Sequence, residues 1–212
     1  MDFRYGDAWE QFPIQFGEVW GLDNGSRVAV HDIFEPLPEF MYLADLIFVD
    51  PPWNQGNLTC FYTKAKRTDY QQFTAFTDVL FRRIAEIGPQ TCYIEIGNQF
   101  VDAWYERLAQ LYPILQRWPV VYYRKYPTNI IRGGQAPVPA DFSGMDEARA
   151  IAIVAHIEDY QVMGDLCMGQ GLVGLAAHVA GKPFVGTELN PRRLAVLLQK
   201  LAEKGARVQR YE

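Results

Sequence analysis

The sequence predicts an α/β fold of the Rossmann-like kind, a mostly parallel twisted sheet with helices on both faces. Three observations carry that expectation. Strand-like and helix-like segments alternate along the 212 residues. The runs "ADLIFVD" (44–50) and "TCYIEIG" (91–97) are almost continuously apolar, as strands buried on both faces are. Glycine-rich turns and helix caps follow the later strands, where such folds place them.

The elements follow in order. Residues 1–24 are aromatic and polar without clear period and read as a capping segment; "SRVAVHD" (26–32) reads as a short strand. A helix is expected over 68–88. Thr68 and Gln71 fit a capping box there, Phe73, Phe76, Leu80 and Ile84 form one face, and Gly88-Pro89 ends it. Residues 99–112 read as a helix and "WPVVYYRK" (118–125) as a third central strand. The stretch 126–144 holds Gly-Gly and three prolines and reads as a loop of about 20 residues. A helix over about 145–157 follows, then two strand–helix units ending near 204. Asn190 is a natural N-cap for the last helix, with Pro191 at its first position. No internal repeat is present, so residues 1–212 are expected to form one domain.

Composition narrows the function classes. Hydrophobic residues make up 49% and charged residues 21%, which is ordinary for a globular protein. The net charge of -5 gives no global attraction to a polyanion, so any such contact must come from a local patch. No apolar run approaches the roughly 20 residues that span a bilayer, and "MDFRYGDAWEQF" lacks the basic start and apolar stretch of a signal peptide. No membrane association is expected. Cys60, Cys92 and Cys167 are odd in number and form no C-x-x-C pair, so reduced thiols and a cytoplasmic setting are expected. His31, His156 and His178 are scattered, which gives neither a metal site nor a Ser/His/Asp triad much support.

Two constellations carry chemistry. In "GDLCMGQGLVG", Asp165 ends a strand, and Gly169 and Gly171 lie in the turn before a helix. Glycines there let backbone approach a ligand at a helix N-terminus. Glu188 stands at the tip of the next strand, where an acid suits two adjacent ribose hydroxyls. A nucleoside cofactor fits these two strand ends. Gly174 spells the third glycine of a dinucleotide fingerprint, so this site alone leaves a nicotinamide cofactor open.

The second constellation is Asp50, Pro51, Pro52 and Trp53, followed by Asn54 and Gly56. Its parts suit methylation of the exocyclic amine of a base. That nitrogen is a poor nucleophile because its lone pair is delocalised into the ring. Acceptors held at its N–H bonds favour rehybridisation and aim the lone pair at an electrophile. Asp50 offers a carboxylate, Pro51 a carbonyl restrained by its ring, and Trp53 a flat face. A base in a duplex must be flipped out, and stacking on an aromatic ring offsets part of that cost by roughly 1–3 kcal/mol. An already activated methyl donor such as a sulfonium requires no metal.

At these residues the chain resembles the S-adenosylmethionine-dependent amino methyltransferases of nucleic acids, in the permuted class with the catalytic motif first. "ADLIFVDPPWNQGN" is similar to that family's "D-L-I-x-x-D-P-P-Y-N-x-G" segment, and "GDLCMGQG…GKPFVGTELNPRR" to its "D-P-F-x-G-S-G-T…G-R-x-F-I-G-I-E-L-N-P" segment. "HDIFEPLPE" (31–39) is similar to its "G-D-x-L-x-x-L" opening. The matches run in the family's order over most of 26–204; Cys167, Gln170 and Leu172 depart from its Phe, Ser and Thr.

The resemblance implies that Asp50 and Pro51 accept hydrogen bonds from the target amine, with Pro52 in the same catalytic stretch, and that Trp53 stacks on the flipped base. It implies S-adenosyl-L-methionine as cofactor. Asp165, Gly169 and Gly171 would line its methionine part, Glu188 would hold its ribose and Asp32 would read its adenine, with Ile33, Cys167 and Asn190 in the same set. An aspartate opening the motif points to adenine-N6 in DNA. Cytosine-N4 in DNA, adenosine in RNA, and a non-catalytic nucleic-acid-binding module are the alternatives. Lys64, Lys66, Arg67, Arg124, Lys125 and Arg132 form the expected phosphate-gripping rim, and about 126–146 the expected recognition region. So small a region also suggests a homodimer or a partner subunit.

Overall fold

The computed structural model describes residues 5–211. Residues 1–4, part of the expected capping segment, and residue 212 lie outside the described residues. In chain order the elements are α1 (Ala8–Gln11), β1 (Val19–Leu22), β2 (Arg27–Val30), β3 (Leu46–Val49), α2 (Gln55–Lys64), α3 (Phe73–Ile87), β4 (Thr91–Gly97), α4 (Val101–Leu108) and β5 (Ile114–Tyr122). Then follow β6 (Tyr126–Gly134), α5 (Glu147–Ile157), β7 (Met163–Asp165), α6 (Leu172–Val179), β8 (Phe184–Glu188), α7 (Pro191–Glu203) and β9 (Val208–Tyr211).

One nine-stranded sheet has the order β5-β6-β4-β3-β7-β8-β2-β1-β9. Its middle five strands, β4-β3-β7-β8-β2, are mutually parallel, and antiparallel strands extend both sides. The α/β expectation, a mostly parallel sheet covered on both faces, therefore holds. Consecutive residues of β3 show why the run is so apolar. Leu46 and Phe48 join the core beneath α5, α6 and α7, while Ile47 and Val49 join the core beneath α2, α3 and α4. From β3 the chain proceeds to one side of the sheet, and from β7 to the other. The reversal leaves a crevice beyond the carboxyl ends of these two neighbours, where open α/β sheets bind ligands.

The local signals act much as expected at several ends. Gly88 closes α3 in the left-handed conformation (φ 65°), and the Asn190 side chain accepts from Arg192 N at 3.0 Å to start α7. Asn54 likewise caps α2, a helix the sequence reading did not place, by accepting from Asn57 N at 2.9 Å.

Four expectations are corrected. The Thr68–Gln71 capping box does not form: α3 begins at Phe73, whose N–H donates to the Gln55 side chain at 2.8 Å. The segment 118–125 is not a central strand but belongs to β5 at the sheet edge. Residues 126–134 are not loop but β6, paired along its whole length with β4 and β5. The expected capping segment includes a strand, β1, held between β2 and β9. Gly133 fits β6 for a packing reason, since a Cβ there would come within 2.4 Å of the Tyr112 ring. Segment 135–146 is also packed: Phe142 is buried edge-on against Trp118 at 4.8 Å, and Val138 N donates to Gln116 at 2.8 Å. Among the described residues no helix is long and apolar enough to cross a membrane.

Candidate active site

Asp50 leaves the tip of β3 and Asp165 ends β7, so the two acids face each other across the crevice. A cavity of about 250 Å³ opens there. Asp32, Ile33, Asp50, Pro52, Asp165, Cys167, Gly169 and Glu188 line it, uniting residues up to 156 positions apart in the chain (Asp32 to Glu188). The remaining expected residues lie just behind. Gly171, at φ 80°, packs on Leu197, and Asn190 caps α7 while its amide donates to Lys64 O at 3.2 Å. Pro51 is buried, and Trp53 is half-buried beside the site rather than in the cavity wall.

The geometry of Trp53 is informative. Its indole N–H donates to Asp50 Oδ1 at 3.0 Å, and its ring lies against Gly97, where an added Cβ would meet it at 3.3 Å. Tyr122 contacts it edge-on at 4.8 Å. Trp53 therefore orients the carboxylate. The aromatic rings that line the cavity itself are Phe61, Tyr62, Phe76, Tyr122 and Tyr123.

The glycine turn is fastened by carboxylates. Asp165 Oδ1 accepts from Cys167 N at 2.9 Å. Glu188 Oε2 accepts from Gly169 N at 2.7 Å, and Oε1 from Asn190 N at 2.9 Å. Gly169 (φ 56°) and Gly171 adopt the left-handed backbone this turn requires. Asp32 accepts from Phe34 N at 3.1 Å and Tyr62 Oη at 3.3 Å, and pairs with Arg67 at 3.3 Å.

Two acids that sequence reasoning missed complete the wall. Glu95 of β4 and Glu147 at the start of α5 are buried, and each brings a carboxylate oxygen within 4.8 Å of Asp50 and of one another. Three carboxylates so placed could hold a cation. Thr128 Oγ1 donates to Glu95 Oε1 at 2.8 Å, while Oε2 has no partner. Burial pushes the Asp50 carboxyl up to about 7, against the Trp53 hydrogen bond and the Arg193 charge, which pull it down. Burial, then the charge of Asp50, pushes Glu147 up to about 8 and Glu95 to about 10. Burial holds Asp165 well above the usual carboxylate range. An acid inside the apolar run "YIEIG" was the available signal for Glu95; Glu147 looked like an ordinary acid in a first helical turn. Arg193, spelled only as one of two arginines after Asn190-Pro191, also lines the cavity.

The expected rim is partly dispersed. Lys66 is exposed after α2, and Arg124 and Lys125 are exposed at the tip of the β5–β6 hairpin. Lys64 stacks on Phe61 at 5.9 Å, and Arg67 is engaged by Asp32 and Asp69. Arg132 cannot grip a phosphate. It is 3% exposed, pairs with Glu158 at 2.7 Å and donates to Ala136 O at 2.7 Å.

No protein-family model matches the chain, and no curated protein matches it significantly. Solved structures do. M1.HpyAVI superposes with a TM-score of 0.58 at 15% identity, over 82% of this chain and 97% of its own. TTHA0409 of Thermus thermophilus, named as a DNA modification methylase and solved with S-adenosyl-L-methionine, gives 0.59 at 16%, over 84% and 94%. The cytosine-N4-specific PvuII DNA methyltransferase gives 0.54 at 10%, over 89% and 94%. At these identities the likeness establishes a shared fold.

Proposed function

We propose that the chain is an S-adenosyl-L-methionine-dependent methyltransferase acting on an exocyclic base amine, adenine-N6 in DNA. The observation that carries the reading is the meeting of Asp50, oriented by Trp53, with the Asp165–Glu188 glycine turn across one crevice. The solved structures of this fold include DNA methyltransferases and a complex with this cofactor, which supports the reading.

The donor set fits the cofactor. Five carboxylates line the cavity (Asp32, Asp50, Glu147, Asp165 and Glu188) against the cations Arg193 and Lys200. Such a wall favours a ligand bearing a sulfonium and an ammonium, and disfavours the pyrophosphate of a nicotinamide dinucleotide. Asp165, Cys167 and Gly169 would hold the amino-acid end, Glu188 the ribose, and Asp32 with Ile33 the adenine. When bound, the cofactor supplies a methyl group activated by the sulfonium.

The chain's own residues do the rest. Asp50 and the Pro51 carbonyl accept the two N–H bonds of the target amine and aim its lone pair. Asp50 takes the proton that the amine loses as its new N–C bond forms. Trp53 fixes Asp50 Oδ1. Tyr122 and Tyr123 offer aromatic faces to the extruded base, and the α2 end and the hairpin tip offer Lys66, Arg124 and Lys125 to phosphates.

The test is calorimetry plus product analysis. S-adenosyl-L-methionine should bind, and Asp50→Ala should lower methyl transfer by about 10²–10⁴-fold while leaving that affinity within a few-fold. Nucleoside analysis of tritiated product from DNA and RNA identifies the base: N6-methyladenine from DNA is expected, and N4-methylcytosine or RNA product replaces that assignment. No cofactor binding at millimolar concentration sinks the reading.

A further inference from the structure

Arg193 is the one arginine of the cavity wall, and its surroundings leave it unanswered. It projects from the first turn of α7 onto the Phe61 ring, 5.1 Å from the centroid, and against the glycine turn, where a Cβ on Gly169 would meet its guanidinium at 3.1 Å. Its Nε is shut off from solvent without a hydrogen-bond partner. Among the described residues its side chain makes no hydrogen bond and no ion pair. Glu188, its nearest charge, already spends one oxygen on Gly169 N and the other on Asn190 N. The contrast is Arg67 at the cavity edge, which has two carboxylate partners.

A guanidinium withdrawn from water without acceptors is costly, and its planar fork matches a carboxylate with two parallel hydrogen bonds. The rest of the wall is acidic and suits cations. The ligand that fits is one with positive groups and a single carboxylate, entering beside the glycine turn. We propose that Arg193 anchors the α-carboxylate of the cofactor's amino-acid tail. The inference rests on the methyltransferase reading and adds to it the residue that selects the zwitterionic tail.

The test compares two probes on the full chain by calorimetry: S-adenosyl-L-methionine and its decarboxylated analogue, which keeps the adenosine, sulfonium and amine. The unaltered chain should bind the analogue about 10- to 100-fold more weakly, the range expected for a lost charge-assisted pair. Arg193→Met should weaken S-adenosyl-L-methionine by the same factor and leave the analogue unchanged, so that the preference disappears. Arg193→Lys should keep part of it. Melting temperature checks that each variant is folded, and Arg193→Gln serves if Arg193→Met is not. A variant that keeps the full preference overturns the inference, as does one that loses both probes equally, because Arg193 then serves the turn or Glu188. A variant that keeps its cofactor affinity and loses only DNA affinity overturns it too, by making the anion a phosphate. If the unaltered chain binds both probes alike, Arg193 is misassigned but the cofactor stands; if it binds neither, the methyltransferase reading itself fails.

Discussion

Asp50 is held ready to act by neighbours that oppose one another. Burial raises its carboxyl to about 7, while Trp53 and Arg193 favour the ionised form. Glu147 and Glu95 ionise later, at about 8 and about 10, in part because Asp50 is already charged. Near neutrality Asp50 is therefore the member of the cluster that carries the charge, and under the proposed reaction it must be charged to accept the amine's hydrogen bonds. The cluster titrates as a unit, so the macroscopic value belongs to it. Methyl transfer measured as kcat/KM should rise with pH through a limb centred near 7. Glu147→Gln removes a neighbouring carboxyl and should move that limb to lower pH; a limb that stays near the ordinary carboxylate range in the unaltered chain would refute this ionisation scheme. Asp50 and Trp53 were legible in the sequence because Pro51-Pro52 at a strand tip is unusual. The hydrogen bond that makes Trp53 an orienting group was not legible, because a side chain's partner is set by packing, here against Gly97 and Tyr122.

The hairpin of β5 and β6 is where the sequence misled most. Pro127, Gly133 and Gly134 read as loop punctuation, yet both glycines lie inside a paired strand, Gly133 because the Tyr112 ring covers it. Pro119 is tolerated because β5 is an edge strand. Burial of Arg132 follows from the same pairing, because β6 carries it between β4 and β5 to Glu158. The strands β3, β4, β7 and β8 were far easier to read, since apolar runs buried on both faces leave little alternative. The tip of the hairpin is unusual in its own way. Tyr123 and Arg124 both adopt positive φ, 48° and 55°, where a tight turn ordinarily selects Asn and Gly. Non-glycine residues held there cost on the order of 1–3 kcal/mol each, and such strain concentrates at functional sites. Tyr123 also lines the cavity while Arg124 and Lys125 face solvent. The double substitution Arg124→Ala with Lys125→Ala should weaken DNA binding uniformly across sequences and reduce the slope of log affinity against log salt by about 2. Titrations at several salt concentrations read both effects; an unchanged slope would place the phosphate contacts elsewhere.

At the scale of the molecule, the acidic crevice is a cost that the fold carries for its site. Glu95 is fully buried with one oxygen unpartnered, and Asp50, Glu147 and Asp165 stand with it at the centre of the sheet. Each of these carboxyls has a folded-state pKa above its ordinary value of 3.8 or 4.5. The folded chain therefore keeps protons that the unfolded chain releases. By linkage, stability contributed by these groups is complete below about pH 4 and is lost as pH rises through the folded values, about 7 for Asp50, about 8 for Glu147 and about 10 for Glu95. This is the opposite of a fold held by paired carboxylates, which gains stability over the lower part of that range. Melting temperature without ligand should accordingly fall between pH 6 and pH 9. Glu95→Gln should flatten the fall, because glutamine keeps an acceptor for Thr128 Oγ1 and has no proton to lose. The variant should then match or exceed the parent's stability at pH 9 while losing its advantage toward pH 5. A cationic ligand should compress the pH dependence in the parent, since a positive charge among the carboxylates favours their ionised forms and draws off the same protons. A parent melting temperature that is flat from pH 6 to pH 9 would mean that the cluster is already ionised in the folded chain, and with it the assignment of a protonated Glu95 behind Asp50 would fall.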